Sequence, residues 1–85
     1  PPGPPPVPHP PASIFPELTP QERQTLELIA LGLDNGQIAE RMVVAPKTVR
    51  NYTSRIYTKL GVRSRGQAIV LAREAGLGKS RDHSL

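Results

Sequence analysis

The side chains between residues 47 and 65 are suited to one kind of chemistry, the donation of hydrogen bonds to anionic or electron-rich groups. This segment carries six basic residues and no acidic residue: Lys47, Arg50, Arg55, Lys59, Arg63 and Arg65. Residues 17–41, by contrast, carry five acids and two bases, although the whole chain has a net charge of +4. Arginine and lysine donate to phosphates and guanine edges, and asparagine pairs with adenine. The uneven charge therefore points to a polyanion as the partner of this segment.

A helix over residues 46–60 would place these groups on one face. At about 100° per residue, one arc is predicted to face the core: Val49, Tyr52, Ile56 and Leu60, with Thr53 beside them. The opposite arc is polar and basic: Lys47, Asn51, Ser54 and Thr58, flanked by Arg50 and Arg55. A solvated face usually pairs basic residues with acids four positions away, and the two arginines have no such acid. Contact with solvent alone stays the alternative, but the pattern favours an external polyanion.

The first helix is predicted to begin with a capping box between Thr19 and Glu22, with Pro20 in the first helical position, and to end at Gly32. Its apolar residues follow the i, i+3, i+4, i+7 spacing of an amphipathic helix: Leu26, Ile29, Ala30 and Leu33. The second helix is predicted to be about two turns long. Either of two polar residues can cap it: Asp34 or Asn35.

The third helix is predicted to begin at Pro46. Ala45 precedes it without a side-chain acceptor, which costs about 1 kcal/mol relative to a serine or aspartate cap. The fourth helix is predicted to begin with a capping box between Ser64 and Gln67. Both helices are predicted to end at a glycine: Gly61 and Gly76. The fourth helix should pack inward through four residues: Ala68, Leu71, Ala72 and Ala75.

The predicted fold is all-α, a four-helix bundle-like domain, because no segment alternates apolar and polar residues as a half-buried strand does. Only residues 43–45 separate the second helix from the third. A short helix, a tight turn and a longer polar helix make a helix-turn-helix. In that arrangement the third helix enters the major groove of DNA with its N-terminal turns against the base edges. Three suitable side chains lie in those turns: Lys47, Arg50 and Asn51.

Three regions are expected along the chain. Prolines prevent residues 1–17 from forming a helix or a central strand, so this region is predicted to be a Pro-rich linker or disordered leader. Residues 18–77 are predicted to be the folded domain and residues 78–85 a flexible tail. The chain begins at Pro1 and not at a methionine, so we expect it to be part of a longer protein.

Several function classes are disfavoured by composition. The chain has no cysteine, which excludes disulfides and thiolate metal sites. His9 and His83 fall in the terminal regions, so we expect no metal site and no cofactor. No apolar run approaches the roughly 20 residues of a transmembrane helix, and the expected location is the cytoplasm, with the nucleoid when bound. The sequence lacks a nucleophile with a base, paired carboxylates near a histidine and a phosphate-binding glycine loop, so an enzyme is not expected.

Residues 18–77 resemble the LuxR/FixJ/NarL-type (GerE-like) helix-turn-helix domain. The resemblance rests on four stretches: LTPQE, IALGLDNGQIAERM, KTVRNYTSRIYTKLGV and SRGQAIVLA. It implies sequence-specific binding of double-stranded DNA in bacterial transcription control. It also implies a dimer on DNA, with the fourth helix at the subunit contact. Members of this family usually follow a phosphoacceptor receiver or a small-molecule-sensing domain in a longer regulator, such as a two-component response regulator.

The resemblance also implies roles for particular residues. Base reading is expected of Lys47, Arg50 and Asn51. Contact with the DNA backbone is expected of Thr48, Tyr52 and Arg55, and of Ser54 and Thr58 on the same outward face. A dimer contact is a hypothesis for Ile69, Val70 and Arg73. Arg63 and Arg65, on either side of Ser64, could meet phosphate or water. The family often has serine at Ala45 and aliphatic residues at Thr25 and Thr53, so a weaker helix start and a looser core are expected there.

Two other interpretations stay open. In the first, the chain is a protein-interaction module whose Pro-rich leader is the ligand and whose helices dock a polymerase subunit or another acidic partner. Such binding should tolerate changes at Asn51, which carries no charge. In the second, the chain is a region-4-like sigma-factor domain contacting polymerase, since that domain shares the helix-turn-helix arrangement.

Overall fold

The computed structural model describes residues 15–78, which form four α-helices and no strand. The helices are α1 (Pro20–Ala30), α2 (Asn35–Met42), α3 (Pro46–Leu60) and α4 (Arg65–Glu74). The predicted all-α fold with a central helix-turn-helix is thereby confirmed. Most of the predicted leader and tail lies outside the described residues, and the predicted domain limits at residues 18 and 77 stay predictions.

Side-chain caps fix where the helices begin. The capping box of α1 is confirmed, since the Thr19 hydroxyl accepts from the Glu22 N–H at 3.1 Å and the Glu22 carboxylate accepts from the Thr19 N–H at 3.0 Å. Asp34, and not Asn35, caps α2, and Gln37 completes a second box with it. α3 begins after Ala45 without a side-chain cap, as predicted.

Only one of the two hydrogen bonds of the predicted capping box at the start of α4 is formed. The Ser64 hydroxyl accepts from the Gln67 N–H at 3.1 Å, as a cap should. The Gln67 side chain, however, accepts from the N–H of Arg63 at 2.6 Å instead of that of Ser64. The glutamine therefore reaches one residue further back and holds the loop between α3 and α4 against the first turn of α4.

Two apolar clusters form the core, and α1 contributes to both. The first consists of Leu18, Leu26, Ala30, Ile56, Ala68, Ala72 and Leu77. The second consists of Leu28, Ile29, Ile38, Ala39 and Val49. Tyr57 packs against the first cluster, whereas Tyr52, predicted to lie on the core arc, is only partly buried and belongs to neither cluster. The central helix-turn-helix is thus packed on α1, and α1 in turn on α4.

Two buried threonines stand where aliphatic residues were expected from the family pattern. The hydroxyl of Thr25 donates to the carbonyl oxygen of Gln21 at 2.8 Å, and the hydroxyl of Thr53 donates to that of Val49 at 2.8 Å. A buried hydroxyl is costly only when it has no partner. Within residues 15–78 every buried side-chain nitrogen and oxygen atom has a hydrogen-bond partner. The threonines are therefore accommodated inside their own helices.

A buried arginine binds the segment that precedes α1. Arg23 is 7% exposed, and its guanidinium donates to the carbonyl oxygens of Phe15 at 3.2 Å and Leu18 at 3.0 Å. Phe15 packs against the first cluster with a backbone φ of 55°. The packed body of the protein therefore includes residues 15–18 as well as the four helices.

An ion pair joins the start of α1 to the end of α3. Glu22, only 1% exposed in its side chain, accepts from the ammonium of Lys59 at 2.8 Å. Burial by itself would raise the pKa of the Glu22 carboxyl. The hydrogen bonds from Lys59 and from the Thr19 backbone outweigh burial and hold the pKa below its ordinary value. The carboxylate thus serves both as half of a helix cap and as the partner of a distant cation.

We expect Glu22→Gln to lower the free energy of unfolding by about 1–3 kcal/mol at neutral pH, because an amide cannot form the charge-assisted bonds. Since the folded-state pKa is lowered, the carboxylate stabilises the fold above the ordinary glutamate pKa. That contribution is lost as the pH falls through the lowered value. Urea unfolding at several pH values should therefore show the difference between wild type and variant shrinking on acidification.

Glu17→Gln is the matched control, because it removes an exposed carboxylate that lies just before α1. It should change the free energy of unfolding by less than about 0.5 kcal/mol. A Glu22→Gln variant as stable as this control at neutral pH would contradict the role of the ion pair.

The turn between α2 and α3 contains a residue in an unfavourable backbone conformation. Val43 ends α2 with φ 59° and ψ 51°, the left-handed region, where a β-branched side chain costs about 1–2 kcal/mol. Its side chain is 88% exposed. The left-handed residue lets the N–H of Val44 donate to the carbonyl oxygen of Ala39 at 3.0 Å. This bond closes α2 and turns the chain into α3.

Val43→Asn should raise the free energy of unfolding by about 0.5–1 kcal/mol, because asparagine tolerates the left-handed conformation and no packing is lost from an exposed side chain. Thermal unfolding followed by circular dichroism checks this. Val70→Asn makes the same chemical change at an exposed helical position and should not stabilise the protein. Equal shifts in both variants would argue against backbone strain at Val43.

Candidate nucleic-acid interface

The outward face of α3 is polar along its length. Val49, Thr53 and Ile56 are buried, which rolls the opposite side of the helix toward solvent. The exposed residues on that side are Lys47, Arg50, Asn51, Ser54, Arg55 and Thr58. Thr48 and Tyr52 lie beside them and are partly buried. All eight side chains expected at the DNA therefore belong to one helix, six of them fully at its surface.

The basic residues of the 47–65 segment divide into two groups. Within residues 15–78 the pair of Lys59 with Glu22 is the only ion pair, so Lys47, Arg50 and Arg55 have no acidic partner in the described part of the chain. Arg65 donates to the carbonyl oxygen of Leu33 and, at 3.2 Å, to the amide oxygen of Asn35. Lys59 and Arg65 thus hold helices together, and the outward face keeps the cations that have no internal role.

The two helices of the helix-turn-helix are fixed by shared packing. Ile38 and Ala39 of α2 lie in the second cluster with Val49 of α3, and residues 43–45 connect the helices. The N-terminal turns of α3 follow directly after this connection, and the N–H groups of Thr48 and Val49 bond back to the Ala45 carbonyl oxygen. Lys47, which lies in these turns, therefore stands on an ordered part of the helix.

The three residues considered for a dimer contact have different surroundings in α4. Val70 is 56% exposed. Ile69 is partly buried against the second cluster, and the guanidinium of Arg73 donates to the carbonyl oxygen of Ala30 at 3.0 Å. A shallow groove of about 590 Å³ runs beside Val70 and is also lined by Val62 and Leu71. Of the three, Val70 presents the largest exposed apolar fraction, and the dimer contact stays a prediction.

The inward roles of Lys59 and Arg65 could not be read from local spacing. Lys59 is separated from Glu22 by 37 residues, and Arg65 from Leu33 by 32. Both basic residues look, in the sequence, like members of one cationic run. The only available signal was for Lys59, which is followed at once by the apolar Leu60 on the core side of α3.

In the part of the chain that the structure describes, no group of three or more metal-ligating side chains is assembled. Among residues 15–78 no helix is both long and apolar enough to cross a bilayer.

Comparison with known proteins gives a consistent set of relatives. Residues 16–72 match the family described as "Bacterial regulatory proteins, luxR family". The chain is 56% identical over 57 residues to the DNA-binding transcriptional activator DevR/DosR of Mycobacterium tuberculosis, covering 67% of this chain and 26% of that protein. It is 57% identical over 53 residues to the probable HTH-type transcriptional regulator GfsR of Streptomyces halstedii, covering 62% and 22%.

A more distant relative carries a regulatory description of a different kind. The chain is 36% identical over 67 residues to the response regulator Rre1 of Synechocystis sp., covering 79% of this chain and 29% of that protein. The chain therefore spans between about a fifth and a third of the length of these relatives.

Proposed function

Because the chain belongs to the luxR family of bacterial regulatory proteins, we propose that it binds double-stranded DNA through α3 and regulates transcription. The helix would lie in the major groove, which is about 12 Å wide and admits one α-helix. The chain would act as a binding domain without catalysis, in the bacterial cytoplasm and at the nucleoid when bound.

One observation carries this proposal. The outward face of α3 exposes three cations and several hydrogen-bonding side chains, and the cations have no acidic partner within residues 15–78. The acids of the described region lie on or beside α1 and α2, except Glu74 at the end of α4. A duplex carries one negative charge per about 1.7 Å of its axis. Such a polyanion would compensate the repulsion among the cations of α3.

The side chains of α3 divide into two kinds of contact. Lys47, Arg50 and Asn51 project from the N-terminal half of the helix and would read base edges, the cations at guanine and the amide at adenine. The remaining polar residues would meet phosphates and set the register of the helix on the duplex: Thr48, Tyr52, Ser54, Arg55 and Thr58.

A second copy of the chain would bind beside the first on a two-fold site. The exposed Val70 and the apolar groove beside it support this arrangement, with Ile69 and Arg73 bordering the contact. Two half-sites should then lie about one turn of DNA apart or at a multiple of that distance.

The chain would be the output part of a longer regulator. It matches less than a third of the length of relatives that include a response regulator, so a receiver or sensor domain would precede it. The signal that controls binding would then act through that part of the protein.

Selection of bound duplexes from a random pool by the purified 85-residue chain tests the proposed function. The selected set should share a motif with two-fold symmetry and a fixed half-site spacing. A pool that stays random at low ionic strength, or enrichment of single strands, would overturn the proposal.

Arg50→Ala should weaken binding to the selected duplex by about 1–3 kcal/mol and relax base preference at one position, because a bidentate contact with guanine carries discrimination. Fluorescence anisotropy with duplexes altered at single base pairs measures both effects. An equal loss on every altered duplex would contradict base reading by Arg50.

Arg55→Gln should reduce the magnitude of the negative slope of log K against log salt by about 0.9, because the loss of one phosphate contact means that binding releases one fewer counterion. The loss of affinity should be similar for all sequences. A slope that is the same for Arg55→Gln and wild type would exclude a phosphate contact at this position.

A further inference from the structure

One stripe of α4 faces the corner between α1 and α2, defined here as residues 30–35. Arg65, Ile69 and Arg73 are spaced four residues apart and therefore lie along one side of the helix. Arg73 donates to the carbonyl oxygen of Ala30 at 3.0 Å. Ile69 packs against the second cluster. Arg65 completes the stripe at the other end, where its guanidinium reaches two acceptors in the corner.

The two acceptors of Arg65 lie at the beginning of α2. One is the carbonyl oxygen of Leu33, directly before the cap residue Asp34, and the other is the side-chain oxygen of Asn35, the first residue of the helix. α2 has 8 residues and buries only Ile38 and Ala39. So short a helix depends on tertiary contacts for its position. At its N-terminal end Leu33 packs against the second cluster, and the N–H of Leu33 donates to the carbonyl oxygen of Leu28 at 3.2 Å. The guanidinium adds the side-chain bonds that tie this end of α2 to α4.

We propose that Arg65 is a positioning residue for DNA recognition, and this inference rests on the proposed function. By holding the start of α2, Arg65 sets the angle of the helix-turn-helix relative to α4. Ile38 and Ala39 of α2 pack with Val49 of α3 in the second cluster, so a displaced α2 would move α3 with it. The first helix of a helix-turn-helix crosses the DNA backbone while the second enters the groove, and both contacts require one fixed geometry.

The guanidinium suits this role better than contact with DNA. Its two terminal nitrogens donate to separate acceptors within the chain, and the residue is partly buried. Arg63, two residues earlier, is exposed, and no side-chain hydrogen bond of Arg63 is formed within residues 15–78. A planar fork can bridge two acceptors at once, whereas a lysine ammonium is a point charge. The role therefore requires arginine and not merely a positive charge.

The test compares four variants of the 85-residue chain on a duplex selected by the wild type. Arg65→Gln removes the fork, Arg65→Lys keeps the charge, Asn35→Ala removes one acceptor without changing the net charge, and Arg63→Gln is the matched control for charge. Anisotropy at several salt concentrations gives the affinity and the salt slope. Circular dichroism identifies a temperature at which each variant is fully folded, and binding is measured there.

We expect Arg65→Gln and Arg65→Lys each to raise the dissociation constant by about tenfold or more, with a salt slope equal to that of the wild type. Asn35→Ala should raise it as well, and the Arg65→Gln/Asn35→Ala double variant should lose less than the sum of the two single losses. If Arg65→Gln does not fold, the Asn35→Ala and Arg65→Lys measurements decide the question.

Three results would overturn the positioning role. The first is wild-type affinity for the duplex in Arg65→Lys. The second is a loss of affinity in Arg65→Gln no larger than that in Arg63→Gln. The third is a salt slope of Arg65→Gln reduced in magnitude by about 0.9, which marks a lost phosphate contact. If Arg65→Gln is less stable but binds the duplex normally when folded, its loss of affinity is no larger than that of Arg63→Gln, and the positioning role is excluded. Failure of the proposed function would show differently, as the absence of duplex binding by the wild-type chain itself.

Discussion

The ion pair between the buried carboxylate of Glu22 and Lys59 anchors the end of α3 and reinforces the orientation that burial of the apolar side gives this helix. It caps α1 through the Thr19 N–H and accepts from Lys59 in the last turns of α3. A helix with one anchored side chain cannot roll freely about its axis. With Lys59 drawn toward α1 and Val49, Thr53 and Ile56 buried, the remaining polar residues of α3 have only the outward side available. The polar outward face of α3 is thus exposed because the opposite side of the helix is buried and bonded to α1.

Much of this arrangement could be predicted from the sequence because it is local. Caps act over three residues and amphipathic faces repeat every three or four. The Thr19 cap of α1, the start of α3 at Pro46 and most of the buried side of α3 therefore followed from spacing, although Tyr52 is only partly buried. The inward roles of Arg65 and Arg73 did not follow. Their backbone acceptors are carbonyl oxygens 32 and 43 residues away, and every residue type carries a carbonyl. The order of side chains along the sequence therefore does not predict a hydrogen bond from an arginine to a distant backbone carbonyl.

The acceptors chosen by the internal arginines also matter for the charge of the domain. Arg23, Arg65 and Arg73 all donate to main-chain carbonyl oxygens, which are neutral, and Arg65 also donates to a neutral amide. Carboxylate partners would have cancelled these charges. Carbonyl partners give the arginines structural roles and leave their positive charge in place, where it adds to the potential that attracts a polyanion. These arginines therefore stabilise the fold and also contribute to the positive charge of the domain.

The hydrogen bonds of Arg23 couple the residues at the beginning of the domain to α1. The carbonyl oxygens of Phe15 and Leu18 accept from Arg23 of α1, and the partly buried Phe15 side chain packs against the first cluster. A displacement of the chain at Phe15 would therefore act directly on the first turn of α1. Thr19 and Glu22 lie in that turn, and Glu22 grips Lys59. These contacts connect Phe15, by way of α1, to Lys59 in the last turn of α3, so a displacement of Phe15 would act on that end of α3.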